Sequence, residues 1–343
     1  MSQTQMPATS KRSRGKSRAA DSPFLRTRNS KRLRISIVGA GRLGTTLGRA
    51  LRRAGHRIEV VVTSHRASAR RAAPAIDKGS LPLTSRQIQK LSSAACGRLF
   101  ASDLILIATP DAAIETVAQQ LAKLFRKHGS SLSRESSRVA LHTSGAISSE
   151  ALARLKSFGF AVGSWHPLVS VADTKSAADI FRDVHFCIEG DPPAFRLART
   201  LVRQLSGKSF TIGPESKPLY HAAAVMASGH IVALFDIAVE MLMACGLSAS
   251  TAQEALVPLM NSATLNLAKK AVAQALTGPF VRGDFETVRK HLDAIRAAGM
   301  AEALSTYTVL GQRALRLART SKPNLKDLDA MTKLLSSNRK GGL

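Results

Sequence analysis

The chain has 343 residues, of which 44% are hydrophobic and 21% charged, which is enough for two domains and too apolar for a disordered protein. Its net charge is +27, and residues 1–32 hold only nine of the 50 lysines and arginines, so most of the excess lies in the rest of the chain. Three widely separated cysteines and scattered histidines predict neither a disulfide framework nor a metal site, and they favour a cytoplasmic location.

Residues 1–32 are rich in Ser, Arg and Lys and have almost no apolar periodicity. Such a segment cannot bury enough surface to offset the entropy of ordering, so we expect a disordered basic arm. Weak contact with nucleic acid through residues 1–32 is the alternative to a solvated tail. Because aromatic residues make up only 4% of the chain, base-stacking platforms are not expected, and neither a nucleic-acid partner nor a membrane is favoured.

The segment 33–51 has the pattern of a phosphate-binding strand, turn and helix. A short apolar strand ends at Gly39, and Gly39, Gly41 and Gly44 follow at the G-x-G-x-x-G spacing. These glycines allow a tight turn, close approach of a pyrophosphate and close helix packing, respectively, and the next helix directs free N–H groups at the phosphates. The alternative is a glycine-rich turn of another α/β protein, but a second strand at 58–62 favours dinucleotide binding. The predicted cofactor-binding residues here are Gly39, Gly41, Arg42, Leu43 and Gly44.

The end of the second strand usually selects the cofactor, because an acidic residue there binds the ribose hydroxyl of NAD. This strand ends instead in Thr63-Ser64-His65-Arg66. The hydroxyl of Ser64 and the guanidinium of Arg66 suit a 2′-phosphate, so NADP is favoured over NAD. Glu59 lies near the start of the strand, where it is poorly placed to replace the missing acid. The alternative is that Arg66 merely caps or solvates the next helix.

Two further strands end in polar loops. The aliphatic run 104–108 leads to Thr109 and Pro110, and the strand 139–141 leads through His142 to Thr143 and Ser144. Ligands of a doubly wound sheet bind at the carboxyl ends of its strands. We therefore expect Thr109, Pro110, Thr143 and Ser144 to border the same crevice as the glycines and to bind the cofactor.

The remaining patterns complete an α/β fold. Residues 67–100 are predicted to be polar and helical, with a break at 79–82. Strands at 160–162, 185–188 and 209–212 and a helix at 193–205 extend a Rossmann-type doubly wound sheet past six strands. From residue 214 the pattern changes to an all-helical C-terminal domain, with helices expected at 217–245, 250–276, 285–298, 301–320 and 325–335. The predicted domains are a basic arm (1–32), an NAD(P)-binding domain (33–213), a helical substrate and dimerisation domain (214–320) and a tail (321–343).

The first of these helices, 217–245, is apolar for more than twenty residues and must be weighed as a membrane span. Within it lie His230, Asp236 and Glu240, together with many small residues. These features favour a tightly packed central helix of the helical domain instead.

Six motifs carry a resemblance to a known family: GAGRLGTTLGRAL, LILIATPDAAI, LHTSGAIS, VGSWHPLVS, KPLYHAAAVMASGHIVAL and LTGPFVRGD. From about residue 33 to about 320 the chain resembles Rossmann-like oxidoreductases that carry a DUF2520 domain, in the wider group around pyrroline-5-carboxylate reductase and 6-phosphogluconate dehydrogenase. The resemblance implies an NAD(P)-binding domain followed by a helical domain that often forms a dimer. The His166-Pro167 element also looks like one in prephenate and arogenate dehydrogenases.

Lys217 and His221 lie four residues apart and share one helix face where the helical domain begins. The related β-hydroxyacid dehydrogenases place a catalytic lysine and a polar partner in a comparable K-x-x-x-N arrangement at this junction. We predict that Lys217 is a general acid with a lowered pKa and that His221 and His166 orient the substrate. Arg282, in the glycine–proline loop, is predicted to clamp a carboxylate. The alternatives are a solvated lysine and a histidine that belongs to the core.

Tyr220 is a weaker candidate, because it projects about 100° away from the stripe of Lys217. The function expected from these patterns is that of an NADP-dependent oxidoreductase, which moves a hydride to or from a small polar metabolite and forms a homodimer. The alternatives are an enzyme like prephenate or arogenate dehydrogenase, and an NADP-binding regulatory protein without catalysis.

Overall fold

The structure is a computed structural model, which describes residues 31–88, 93–128, 138–173, 179–321 and 327–339. Its centre is a sheet with the strand order β3-β2-β1-β4-β5-β6-β7-β8, in which every neighbouring pair is parallel except β6 with β7. The predicted Rossmann-type sheet, extended by extra strands and followed by helices, is confirmed. The strands are β1 (Arg34–Val38), β2 (Arg57–Thr63), β3 (Leu81–Thr84), β4 (Leu104–Ile107), β5 (Arg138–His142), β6 (Phe160–Pro167), β7 (His185–Gly190) and β8 (Lys208–Phe210).

Helices cover both faces of this sheet, which explains why its central strands are apolar on both sides. One core lies under α1 (Arg42–Arg53), α2 (Arg66–Ile76) and α6 (Pro192–Gln204). The other lies under α3 (Ser85–Ile88), α4 (Ser93–Phe100), α5 (Asp111–His128) and a 3₁₀ helix, Ser149–Phe158. The four residues of β4 are fully buried. Burying each of these leucines and isoleucines stabilises the fold by about 1.5–3 kcal/mol.

The edge strand β3 differs from the expected helical stretch with a break at 79–82. Leu81 to Thr84 pair with β2 in parallel, so the break is the start of a strand. Pro82 has no N–H to donate, and an edge strand tolerates this because only one of its sides must pair. The sequence patterns also did not predict the 3₁₀ helix between β5 and β6.

The long helix expected at 217–245 is two helices, α7 (Lys217–Met226) and α8 (Gly229–Ala244). Ser228 breaks the helical path with φ −133° and ψ −81°, and its Oγ donates to the carbonyl of Ala224 at 2.7 Å. A serine hydroxyl that bonds back to the helix competes with the backbone ladder, and the following glycine has low helix propensity. The sequence-based boundary was therefore wrong at this point.

The prediction that this segment is a tightly packed central helix is also wrong. Among the described residues of α7 and α8 only Lys217 is buried. Pro214–Ala244 is, within the described ranges, the one helical segment whose length and composition could cross a membrane, and its most apolar stretch lies at the surface. The apolar side chains of α7 and α8 therefore face outward rather than into a core of this chain.

The rest of the helical region packs around a small core of its own. This core joins α12 (Phe285–Ala297), α13 (Ala301–Ser321) and α14 (Leu328–Arg339) through buried residues such as Leu292, Leu315 and Met331. The helix α9 (Ala249–Lys269) packs on α8, and the short helices α10 (Val272–Ala275) and α11 (Pro279–Arg282) pack on α13. The boundaries predicted for the basic arm, the two domains and the tail stay predictions, and residues 1–30 lie outside the described ranges.

Candidate functional site

The glycine turn after β1 has the geometry that a pyrophosphate needs. Gly39 has φ +96°, and a Cβ there would lie 2.6 Å from the carbonyl of Ala108, so only glycine fits. A Cβ at Gly44 would lie 2.0 Å from the carbonyl oxygen of Gly39, which explains the close packing of α1 on the turn. At Gly41 the space is open, since no atom lies within 4 Å of an added Cβ among the described residues.

Open space beside Gly41 at the start of a twelve-residue helix suits an anion that approaches free N–H groups. Of the neighbouring predicted residues, Leu43 packs partly against the core. Arg42 is exposed, and its guanidinium donates to the carbonyl of Ala172 at 3.1 Å. The turn therefore fits the phosphates of a dinucleotide, and Arg42 can cover them.

The polar loops after β4 and β5 meet this turn. The amide of Thr143 donates to the carbonyl of Ile107 at 3.0 Å, which ties the two strand ends together. The Thr109 hydroxyl is buried and finds no hydrogen-bond partner among the described residues, whereas Pro110 is exposed. Because a buried hydroxyl without a partner is costly, Thr109 is suited to a bound ligand. Thr109 and Thr143 thus lie beside the glycine turn, and the cofactor-binding role expected for them and for Pro110 stays a prediction.

The turn after β2 presents Ser64 and Arg66 to solvent, with Arg66 as the first residue of α2. Glu59 is buried at the opposite end of the strand, where the guanidinium groups of Arg34, Arg57 and Arg98 lie 3.1, 3.0 and 3.3 Å from its carboxylate. It is therefore committed to structural ion pairs and cannot bind a ribose at the other end of β2. No acid competes with Arg66 among the residues of this turn, 63–66.

The loop after β5 is shaped by two side chains that point back into it. His142 is fully buried; its Nε2 donates to the carbonyl of Ser148 at 3.0 Å, and its Nδ1 accepts from the amide of Ser144 at 3.2 Å. The Ser144 hydroxyl accepts from the amides of Ala146 and Ile147, both at 3.1 Å. The oxygen of the Ser144 hydroxyl therefore accepts hydrogen bonds within the loop. Toward a cofactor this hydroxyl could act only as a hydrogen-bond donor.

Lys217 is fully buried, although a lysine at a helix start is usually solvated. Its Nζ donates to Ser164 Oγ at 2.6 Å and to the carbonyl of Ser144 at 3.3 Å, and Ser164 Oγ donates to the same carbonyl at 3.2 Å. Burial lowers the pKa of Lys217, while neighbouring Cys187 and Glu189 raise it in part. The solvated alternative for this lysine is therefore wrong.

The structure brings Lys217 together with both predicted histidines. A Cβ at Gly145 would lie 2.6 Å from His221 Nδ1 and 2.9 Å from His166 Nε2, so the two imidazoles converge beside this glycine. His221 Nδ1 is buried, and no described residue bonds it. His166 Nδ1 lies 2.7 Å from the hydroxyl of Tyr220.

The expected angle for Tyr220 was wrong, because a residue three positions after Lys217 lies about 60° around the helix and therefore on the same face. Ser164 is a further residue of the site that sequence reasoning missed, and nothing in the strand pattern distinguishes it from other buried serines.

Burial is the main cause of the neutral state of the two strand-end histidines. It lowers the pKa of His142 to about 4 and, with the charges of His221, Lys217 and His142, that of His166 also to about 4. Arg282, in contrast, is exposed in α11 and lies 3.9 Å from the carboxylate of Asp284. None of the hydrogen bonds and ion pairs found for the described residues joins Arg282 to the Lys217 cluster, so its predicted role as an anion clamp stays a prediction.

Comparisons with known proteins agree with this architecture. Residues 20–167 match the model of a Rossmann-like domain, and residues 184–314 match that of a domain of unknown function, DUF2520. No curated protein matches the chain in sequence.

Among solved structures, protein TM1727 from Thermotoga maritima is 24% identical with a TM-score of 0.62, over 84% of this chain and 99% of that one. BF3122 from Bacteroides fragilis, provisionally named an NADP oxidoreductase, is 20% identical with a TM-score of 0.64, over 83% and 98%. A reductive aminase from Aspergillus terreus, solved with NADPH and ethyl levulinate, is 18% identical with a TM-score of 0.55, over 89% and 99%. At these identities the likeness shows the fold.

Proposed function

Because the chain combines a Rossmann-like domain with a DUF2520 domain, we propose that it is an NADP-dependent oxidoreductase that moves a hydride to or from a small polar metabolite. The observation that carries the proposal is the convergence of Lys217, His166 and His221 on Gly145. This glycine lies two residues beyond Thr143, whose amide is bonded to β4 beside the glycine turn. A set of proton-handling groups thus adjoins a dinucleotide site.

The residues present fit a dinucleotide. Gly39, Gly41 and Gly44 would hold the pyrophosphate, with Arg42 over it, and the unpartnered hydroxyl of Thr109 would gain a hydrogen-bond partner. The nicotinamide supplies or accepts the hydride when it is bound. The protein would bind the cofactor, hold the substrate beside Gly145 and donate or accept one proton.

Lys217 is the proposed source of that proton in the direction of reduction. Its Nζ lies 2.6 Å from Ser164 Oγ, so a proton that leaves the buried lysine passes to this hydroxyl, which must at the same time turn from the carbonyl of Ser144 and release its own proton toward the substrate oxygen. A lowered pKa favours release, because burial disfavours the charged lysine. Ring nitrogens of His166 and His221 lie together against Gly145, and in this proposal they hold the substrate oxygen.

NADP is preferred to NAD in this proposal because Ser64 and Arg66 are exposed at the end of β2, where an NAD enzyme would have a carboxylate. A guanidinium binds a phosphate with charge-assisted hydrogen bonds. The provisional name of BF3122 and the NADPH bound by the reductive aminase support a nicotinamide cofactor.

We further propose that two copies associate through the helical region. Large apolar side chains on α7 to α10 are more than a third exposed, and Leu219 and Val232 are 78% and 70% exposed. Monomers rarely expose apolar patches larger than a few hundred Å². A second copy of this chain presents the same apolar surface and can cover it.

The function is tested by measuring NADPH consumption with a panel of small carbonyl and imine compounds, and NADP reduction with the matching alcohols and amines. Lys217→Met should lower kcat about 10²–10⁴-fold with NADPH affinity little changed, because it removes the proton donor and leaves the phosphate turn intact. Wild-type kcat in this variant would remove Lys217 from the mechanism. Tight NADPH binding without turnover of any compound would favour the regulatory alternative.

A further inference from the structure

His166 and Tyr220 form a hydrogen bond between the sheet and the helical region. The hydroxyl of Tyr220 in α7 lies 2.7 Å from Nδ1 of His166 in β6, and the two rings are perpendicular with centroids 5.6 Å apart. A ring nitrogen at this distance either donates to the phenol oxygen or accepts its proton. The direction of this bond decides which nitrogen of His166 carries hydrogen.

The surroundings of Tyr220 fix that direction. Burial raises the pKa of Tyr220, so its hydroxyl keeps its proton and must donate it somewhere. The neighbouring polar group is the buried thiol of Cys187, which is hydrogen-bonded to Tyr220; burial raises the pKa of this thiol, so it stays protonated and can donate to the phenol oxygen. A thiol is a weak acceptor, whereas a neutral imidazole nitrogen is a good one. Tyr220 therefore donates to His166 Nδ1.

The other ring nitrogen of His166 lies against Gly145 and close to His221. Nε2 would lie 2.9 Å from a Cβ at Gly145, next to the unpartnered Nδ1 of His221. The charged and titratable groups around His166 are His221 and Lys217 on α7 and His142 on β5, and together with burial they keep the ring neutral at physiological pH. A neutral ring that accepts at Nδ1 carries its single hydrogen on Nε2.

We propose that Tyr220 is a positioning residue that holds His166 in the Nε2–H form, so that His166 donates a hydrogen bond to a carbonyl or hydroxyl oxygen of the substrate beside Gly145. This inference rests on the proposed function and adds a substrate class to it. In the reduction the carbonyl carbon gains a hydride and the oxygen gains a proton. His166 supplies only the hydrogen bond, since a neutral imidazole is a poor acid, and the proton comes from Lys217.

The donor also discriminates between substrates. A carbonyl oxygen accepts from Nε2–H, and the bond strengthens as negative charge develops on that oxygen. An iminium nitrogen has no lone pair to accept it, and its positive charge is opposed by Lys217. The site therefore favours a carbonyl and alcohol pair over an iminium and amine pair.

The tautomer can be read without any substrate. In full-length protein labelled with ¹⁵N-histidine, long-range proton–nitrogen spectra distinguish a ring nitrogen that carries hydrogen from one that accepts, and His166→Gln identifies the signal. We expect an accepting Nδ1 and a hydrogen-bearing Nε2 at neutral pH. In Tyr220→Phe the ring should populate both tautomers, because the donor to Nδ1 is gone.

The chain has a matched control for this substitution. Its only other tyrosine, Tyr307 in α13, has its hydroxyl 2.8 Å from Nδ1 of His291 in α12. Tyr307→Phe should change the His291 signal and leave His166 unchanged. An Nδ1–H tautomer in the wild type, or an unchanged His166 signal in Tyr220→Phe, overturns the proposal.

Kinetics separates this inference from the proposed function. Tyr220→Phe should lower kcat for a carbonyl substrate about 10-fold to 100-fold and leave NADPH affinity unchanged, while Tyr307→Phe should retain wild-type kcat. For a ketone and its matching imine, the ketone should have the higher kcat/KM, and a preference for the imine overturns the substrate class. If neither is turned over, the proposed function fails, while the tautomer is still decided by the spectra.

Discussion

Gly41 is the residue at which cofactor binding and folding can be separated. A methyl group there meets no described atom within 4 Å, whereas at Gly44 it would lie 2.0 Å from a carbonyl oxygen. We expect Gly41→Ala to keep the thermal stability of the wild type and to weaken NADPH binding at least about tenfold, equivalent to about 1.4 kcal/mol, because the methyl enters the space of the pyrophosphate. Fluorescence titration and a melting curve measure the two effects.

The control is Gly97→Ala in α4, another glycine with open space around it, which should leave NADPH affinity unchanged and raise the thermal stability slightly, because alanine has the higher helix propensity. Equal NADPH affinity in Gly41→Ala and the wild type would show that the turn does not hold the phosphates.

Arg66 is the residue that should distinguish the two nicotinamide cofactors. Removing a charge-assisted bond of about 1.5–3 kcal/mol should weaken NADPH binding about 10-fold to 100-fold in Arg66→Ala and leave NADH binding unchanged. Arg196→Ala, which removes an exposed arginine from α6, is the control for the loss of one positive charge. A parallel loss of affinity for both cofactors would contradict a role in binding the 2′-phosphate.

Site residues that lie on the same helix or turn could be predicted from the sequence. The i, i+4 spacing placed Lys217 and His221 on one face, and the glycine spacing gave the turn. The burial of Lys217 was not predictable, because its acceptor Ser164 lies 53 positions away in the sequence. Tyr220 was underrated although its spacing from Lys217 is i, i+3, which places both residues on one helix face.

Two histidines at the carboxyl ends of β5 and β6 should make the folded protein less stable in mild acid. The pKa of His142 and of His166 is about 4 in the folded protein and near 6.5 in an unfolded chain, and that of His56 is also lowered. Between these values the unfolded chain binds protons that the folded chain does not. Stability is therefore full above about pH 6.5 and falls as the pH drops toward 4, by at most about 1.4 kcal/mol per pH unit for each histidine.

Urea denaturation at about pH 7.5 and about pH 5 measures this effect. The midpoint should fall on acidification in the wild type, and it should fall less in His166→Gln. His65→Gln, which replaces an exposed histidine after β2, serves as the control and should fall as much as the wild type. A midpoint that is the same at both pH values would contradict the neutral, buried state of these rings.

Elements with a strong period were predictable, and those set by a single local bond were not. The short aliphatic run of β4 favours a buried strand by its length, and α1 follows from its glycine turn. The break between α7 and α8 depends on the Ser228 hydroxyl bonding to Ala224, which competes with an otherwise continuous apolar pattern. The edge strand β3 contains Pro82, and the sequence pattern there indicated only a break in a helical stretch.

The whole molecule is expected to be a dimer in solution. The apolar surface of α7 to α10 would otherwise stay in water, and a stable interface typically buries about 1,200–2,000 Å² in total. Replacing Val232 and Leu259 together with lysine puts two unpaired charges into such an interface, so the dissociation constant should rise at least about 100-fold. Sedimentation velocity at micromolar concentration detects the change.

Leu168→Lys is the control, because Leu168 is an exposed leucine that follows β6 and lies outside the helical region. It should leave the association unchanged. A monomeric wild type would contradict the proposed dimer and would leave the surface of α7 to α10 unexplained. The basic arm plays no part in this test, since its structure lies outside the described residues.

Transfer of deuterium from labelled NADPH tests whether the protein moves a hydride to a small polar carbonyl compound. NADPH deuterated at C4 of the nicotinamide is incubated with the full chain and a panel of small polar carbonyl compounds, and the products are analysed by mass spectrometry. We expect deuterium on the carbinol carbon of at least one product with wild-type protein, and at least about tenfold less product with Gly41→Ala at limiting NADPH. NADPH that binds tightly and transfers no deuterium to any compound would contradict it.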